Sequence, residues 1–172
     1  DIKQIQLEER FIPYPSLAIS QSRSAIYDMA KTAAKSVKKS VLALDEYSDE
    51  LFEKVKRYED LADRYVNDIG TYLMRLSQKE LTESENADVF KFLHTLTDFE
   101  RITDHCMSIA YIAKNNKEEN IVYSQKAGKD LHDIISAVSE NMELTVNAFM
   151  DENWKPNGRV AALSQVIRAL CG

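Results

Sequence analysis

Residues 51–76 read LFEKVKRYEDLADRYVNDIGTYLMRL, and their spacing decides the fold. Leu51, Val55, Tyr58, Ala62, Tyr65, Ile69, Tyr72 and Leu76 recur at steps of four and three without a miss. An α-helix places such a set on one face, because its side chains repeat every 3.6 residues. The stretch is therefore a helix whose apolar seam packs against other helices. Ser48 stands at its N-cap, and Asp49 and Glu50 suit a first turn where the helix dipole favours negative charge. Each seam tyrosine can bury its ring and reach outward with its hydroxyl.

Working outward, the same period recurs on both sides. Toward the N-terminus, Ile19, Ile26, Ala30, Ala33, Val37, Val41 and Leu44 predict a helix over about Ser16–Leu44, with Ser16 as its N-cap. Much of it is small (Ala18, Ser22, Ala25, Ala34, Ser36, Ser40), which lets neighbouring helices approach closely. Its outer face carries Lys31, Lys35 and Lys38, read as a solvated stripe, with contact to an acidic surface or lipid headgroups as the alternative. Ahead of it, Pro13 and Pro15 predict an extended lead-in.

Toward the C-terminus, Thr82-Glu83-Ser84-Glu85 reads as a capping box that opens a third helix. Its seam is Val89, Leu93, Leu96, Glu100, Thr103, Met107 and Ala110, and Asn115-Asn116 should end it. A fourth helix is predicted over about Glu119–Met150, with Ile121, Leu131, Ile134, Ile135, Val138, Met142, Val146 and Phe149 inward. Asp151–Gly158 is a loop, which Trp154 should pack onto the bundle, and a fifth helix starts near Arg159. No alternating strand pattern competes. The fold class is all-α, an antiparallel bundle of long helices with short connections.

Bulk composition narrows the function. The 172 residues suffice for one domain with a core, and only four Gly and three Pro interrupt the elements. A net charge of −6 disfavours a nucleic-acid partner, since phosphate binding needs a basic surface. Two cysteines, Cys106 and Cys171, form no CxxC pair, which excludes a zinc knuckle and a disulfide scaffold. No apolar run approaches the roughly 20 residues that span a bilayer. Opening at Asp1 without methionine and closing at Gly172 after an apolar pattern are expected of a piece of a longer protein.

Glu100 sits where the third seam asks for an apolar residue, and Asp104 lies one turn on. Residues four apart share a helix face, with Cβ atoms roughly 5–6 Å apart. The second helix repeats the pattern with Glu59 and Asp63, and Asp60 stands beside them as a substitute. Four carboxylates near one surface raise one another's pKa and need compensation. Lys or Arg partners, shared protons or a bound metal would each supply it; hard oxygen donors suit Mg²⁺, Mn²⁺, Ca²⁺ and iron, and zinc accepts them. Arg101 projects about 100° from Glu100 and reads as a salt-bridge residue. His105 reads as a polar face histidine, and Cys106 as a small core residue.

Asp98-Phe99-Glu100-Arg101-Ile102-Thr103-Asp104-His105 resembles the third-helix signature of the PhoU family, and Tyr58-Glu59-Asp60-Leu61-Ala62-Asp63 resembles its second-helix Glu-x-x-x-Asp. Leu7-Glu8-Glu9-Arg10-Phe11 and Pro15-Ser16-Leu17-Ala18 are similar to the junction in the PhoU-like cytoplasmic domain of bacterial sodium-phosphate cotransporters. The family binds metals, including multinuclear iron clusters, through these motifs. The resemblance thus implies a metal site of Glu59, Asp63, Glu100 and Asp104, holding a divalent or ferric ion (iron, zinc, manganese or magnesium). It implies a non-catalytic regulatory domain in phosphate transport or homeostasis, at the cytoplasmic face of the inner membrane. Its partners would be the transporter's membrane domain or a transporter partner, and a second copy as a homodimer.

Residues 1–15 would then be a lead-in, 16–117 a three-helix PhoU-like repeat, and 118–172 the start of a second, truncated repeat. Where that repeat's first motif should fall stand Ser164 and Arg168, which supply no carboxylate, and Thr103 replaces the family's glycine. A structural bundle without metal is the competing expectation. A di-iron carboxylate enzyme would need Glu-x-x-His motifs, and the chain has none.

Overall fold

The computed structural model describes residues 7–150. Four helices follow one another: α1 (Pro15–Asp45), α2 (Asp49–Leu76), α3 (Glu83–Glu118) and α4 (Gln125–Met150). The short connections at 46–48 and 77–82 make α1, α2 and α3 successive antiparallel neighbours. Those three helices all pack on one another, and α4 packs on α1. No strand occurs among the described residues. The expected all-helical bundle is therefore observed. The predicted fifth helix, the Trp154 loop, Ser164, Arg168, Cys171 and the inward side chain of Val146 lie outside the described residues.

α1 sits at the centre because its side chains are small. Ala18, Ser22, Ala25, Ala30, Ala33, Ser36, Ser40 and Ala43 are all buried, spread around more than one face. Close backbone approach to three neighbours follows from that composition. The hydroxyls of Ser22 and Ser40 donate to the carbonyls of Ala18 and Val37 at 2.8 and 2.9 Å. Ser36 Oγ is buried without a partner among the described residues.

Larger side chains of the other helices fill the space around α1. Phe92, Leu96, Phe99 and Ile102 of α3 and Ile69, Leu73 and Leu76 of α2 are essentially fully buried. Each such side chain contributes about 1.5–3 kcal/mol relative to exposure. Phe149 anchors α4 on α3, with ring centroids 6.1 Å from Phe92 and 6.4 Å from Phe99.

The helix starts of α2 and α3 are those expected. Ser48 Oγ accepts from the Leu51 N–H at 3.2 Å. Thr82 and Glu85 form the reciprocal box, with bonds of 3.2 and 2.8 Å. Three other boundaries differ. Ser16 is not the N-cap of α1: Pro15 occupies N1, where its missing N–H costs nothing, and Tyr14 precedes it. The extended lead-in is instead a single 3-10 turn, Glu9–Phe11, docked on the bundle. There the Tyr72 hydroxyl donates to the Glu8 carbonyl at 3.0 Å, Gln21 Oε1 accepts from the Glu8 N–H at 3.1 Å, and Arg75 pairs with Glu9.

The third difference lies between α3 and α4. α3 continues past Asn115-Asn116 and stops in a Schellman turn. Asn120 takes a left-handed φ of 52°, which lets the Ile121 N–H reach the Asn116 carbonyl at 2.9 Å. Asparagine tolerates that conformation better than most residues. α4 consequently starts only at Gln125, with Ser124 Oγ accepting from the Ala127 N–H at 3.2 Å. Ile121 is left exposed rather than inward, as is Ile134, while Ile135, Val138, Met142 and Phe149 are buried as expected.

Two substitutions test α1 as the packing centre. Ala30→Leu should cost about 1–3 kcal/mol by overpacking. Ser36→Ala should recover about 1 kcal/mol by removing a buried hydroxyl that lacks a partner. Urea denaturation measures both, and a destabilised Ser36→Ala would mean that this hydroxyl is satisfied.

Candidate metal centre

On α2, Glu59 follows the buried Phe52 and Val55 and precedes the buried Ala62, so it lies beside the packed seam. Asp63 is one turn further on. On α3, Glu100 lies between the buried Leu96 and Thr103, with Asp104 one turn beyond. Because α2 packs on α3, the two acidic turns meet. Carboxylate oxygens of Glu59, Asp63 and Asp104 lie within 4.8 Å of one another.

The fourth predicted residue stands beside this trio. Glu100 is half-buried and close enough for the charges of Asp104 and Asp63 to act on it, but it is not one of the three that converge. The α3 seam accounts for this. Its buried stripe runs through Phe92, Phe99, Ile102 and Cys106, rotated from the predicted line, which leaves Glu100 at the edge. Glu59 is likewise half-buried, whereas Asp63 and Asp104 are exposed. The cluster therefore sits on the rim of the α2–α3 contact, open to solvent, and not within the core. Asp60, the expected substitute, turns instead toward a cleft between α1 and α2.

Electrostatics follow from this crowding. The Glu59 carboxyl is raised above its ordinary range, first by burial, then by Asp63, Asp60 and Asp104. Glu100 is raised by burial and by Asp104 and Asp63, against the opposing charge of Arg101. Asp104 is raised by burial and by Asp63, with His105 opposing. Among the described residues, none of the four carboxylates forms an ion pair or side-chain hydrogen bond with a cation. Of the compensations open to the sequence, pairing with Lys or Arg is thus absent there. Proton sharing and a cation remain. Arg101 is exposed but forms no ion pair among the described residues, and Cys106 is a buried core residue, as expected.

The profile of the PhoU domain family matches residues 26–113, just over half of the chain. The chain belongs to the PhoU domain family. No curated protein and no solved structure matches it. The PhoU match runs from Ile26 in α1 to Ala113 in α3 and so contains all four carboxylates. PhoU domains are regulatory rather than catalytic and act in phosphate homeostasis. No described helix of this PhoU domain is long and apolar enough to cross a membrane.

What the sequence did not flag was the opposite side of α2. Arg57 and Arg64, two turns apart, face Lys31 and Lys35 of α1 across the cleft that Asp60 joins. Their spacing of seven is a helical-face signal. It gains meaning only once α1 and α2 are paired, which brings the α1 lysines opposite these arginines.

Raised carboxyl pKa values make the fold prefer the protonated acids. Their favourable contribution is complete below the unfolded-chain value and is lost as pH rises through the raised folded value. With chelator present, Glu59→Gln combined with Asp104→Asn should differ least from the wild type near pH 4 and should gain on it as pH rises. At neutral pH the variant should gain roughly 0.3–0.5 kcal/mol per relieved like-charge contact. Urea denaturation at both values measures the difference, and a gap independent of pH would contradict its origin in charge.

Proposed function

We propose that this PhoU domain binds a hard metal cation through Glu59, Asp63 and Asp104, with Glu100 adjacent, and serves as a regulatory module of sodium-dependent phosphate transport. The observation that carries this reading is the convergence of three carboxylates within 4.8 Å, none of which forms an ion pair among the described residues. Oxygen donors alone suit Mg²⁺, Mn²⁺ or iron, and zinc accepts the same set. Solvent exposure of Asp63 and Asp104 leaves a path for the ion.

A bound cation would replace repulsion across the α2–α3 contact with attraction. It would tighten the bundle by mass action, since only the folded chain brings the two helices together. The metal supplies charge and rigidity there, and no chemical turnover is required of it. The docked lead-in supports the transporter link. Glu8 and Glu9 are tied to Tyr72 and Arg75 at the end of α2, so force on residues ahead of α1 reaches the helix that carries Glu59 and Asp63. A transporter's membrane domain at the cytoplasmic face of the inner membrane is the partner this arrangement suits.

A structural bundle without metal is the second reading, and the exposure of Asp63 and Asp104 is what favours it. Elemental analysis and calorimetry with Mn²⁺, Zn²⁺ and iron separate the two. Asp63→Asn with Asp104→Asn should abolish uptake while retaining helicity. Glu100→Gln, outside the converging trio, should weaken binding by about ten-fold, as for a group next to the ligands. Wild-type protein that takes up no metal and shows no thermal shift would leave the structural reading standing.

A further inference from the structure

The side of α2 away from α3 carries the opposite charge. A cleft of about 670 Å³ opens between α1 and α2, a size common for small-molecule sites. Lys31 and Lys35 border it from α1, and Lys54, Arg57 and Arg64 from α2. Of the lining residues only Asp28 and Asp60 are acidic, so the lining itself carries three positive charges in excess on a chain whose net charge is −6, with Glu50 pairing Lys54 from beside it.

The cations differ in how they are held. Lys31 pairs with Asp28 at 2.9 Å and lies over the Tyr27 ring; Lys54 pairs with Glu50 at 2.6 Å. Exposed helix pairs of this kind contribute only about 0.3–0.5 kcal/mol and exchange partners readily. Arg57 Nε donates to the Glu53 carbonyl at 3.3 Å, which leaves its terminal amino groups for a ligand. Arg64 and Lys35 make no ion pair among the described residues.

The floor of the cleft adds one hydroxyl to its lining. Tyr65 is only 3% exposed and lines the cleft, yet its hydroxyl makes no hydrogen bond among the described residues. The hydroxyl itself is not among the side-chain atoms buried without a partner, so it reaches the open cleft and can donate to whatever occupies it, water included.

We infer that this α1–α2 cleft is a binding site for a small soluble anion carrying two or more phosphate groups. Each phosphate brings about −1.5 to −2 charges at neutral pH, so two of them match the excess of three positive charges. Arginine forks fit phosphate oxygens bidentately, lysines add point charge, and the Tyr65 hydroxyl donates from below. Lys54 to Arg64 spans about 15 Å along α2, further than one orthophosphate reaches. The acidity of the rest of the surface disfavours a nucleic acid, whose long backbone would meet that charge. Nothing in this site requires a metal, since Glu59 and Asp63 lie on the other side of α2, toward Asp104 of α3.

Calorimetry on the full chain, stripped of metal with chelator and held at low ionic strength, tests the inference with pyrophosphate, tripolyphosphate and orthophosphate. Pyrophosphate and tripolyphosphate should bind at least about ten-fold more tightly than orthophosphate, and salt should weaken them. Arg57→Gln with Arg64→Gln, both at exposed positions, should cost ten-fold or more, and Tyr65→Phe a few-fold. Asp63→Asn with Asp104→Asn should leave phosphate binding intact, which separates failure of this site from failure of the metal centre. Equal affinity for all three anions would overturn the inference. So would undiminished binding in the arginine variant, or retention on phosphatidylglycerol vesicles without uptake of the soluble anions.

Discussion

Like charges held close together on two packed helices are the constraint around which this domain is organised. Carboxylates on separate flexible chains would move apart. Here they cannot, because Val55, Ala62 and Ile69 on α2 and Leu96, Ile102 and Thr103 on α3 are buried and fix both helices. That burial supplies far more free energy than the repulsion removes. Small residues of α1 make the arrangement tight, since they let α2 and α3 approach a common neighbour closely. The acidic cluster is thus a local penalty, tolerated because the core over-determines the geometry around it.

Such a penalty has a use in a regulatory domain. The cation proposed here would relieve it, changing the energy of the α2–α3 contact without changing the fold, by an amount set by how much cation is present. α2 carries the acidic pair toward α3 and a run of basic residues toward α1. Its far end holds the docked lead-in through Tyr72 and Arg75. One helix therefore touches each feature by which a PhoU domain could register ions and pass the result along the chain.

Much of this was legible in the sequence because its signals are local. The caps at Ser48 and at Thr82–Glu85 occupy a few adjacent residues, and the α2 seam repeats without interruption. Glu59 with Asp63, and Glu100 with Asp104, share faces by spacing alone. Spacing on one helix does not say how a second helix rotates against it. Spacing thus groups Glu100 with Asp104 at the edge of the core, while the packing of Phe99 and Ile102 leaves it beside the converging trio. The start of α4 failed for a different reason. Ile121 and Val122 continue an apolar pattern, but the left-handed Asn120 reverses the chain before they can join a helix. At the lead-in, proline geometry favoured an extended path, and tertiary bonds to Tyr72, Gln21 and Arg75 outweighed it.

Anomalous scattering from crystals grown with Mn²⁺ tests the central claim most directly. A single strong peak should lie between α2 and α3, with oxygens of Glu59, Asp63 and Asp104 at about 2.0–2.3 Å from it, as hard-cation geometry requires. No peak there, or Lys and Arg side chains folded onto the three carboxylates in its place, would contradict a cation as the partner of this cluster.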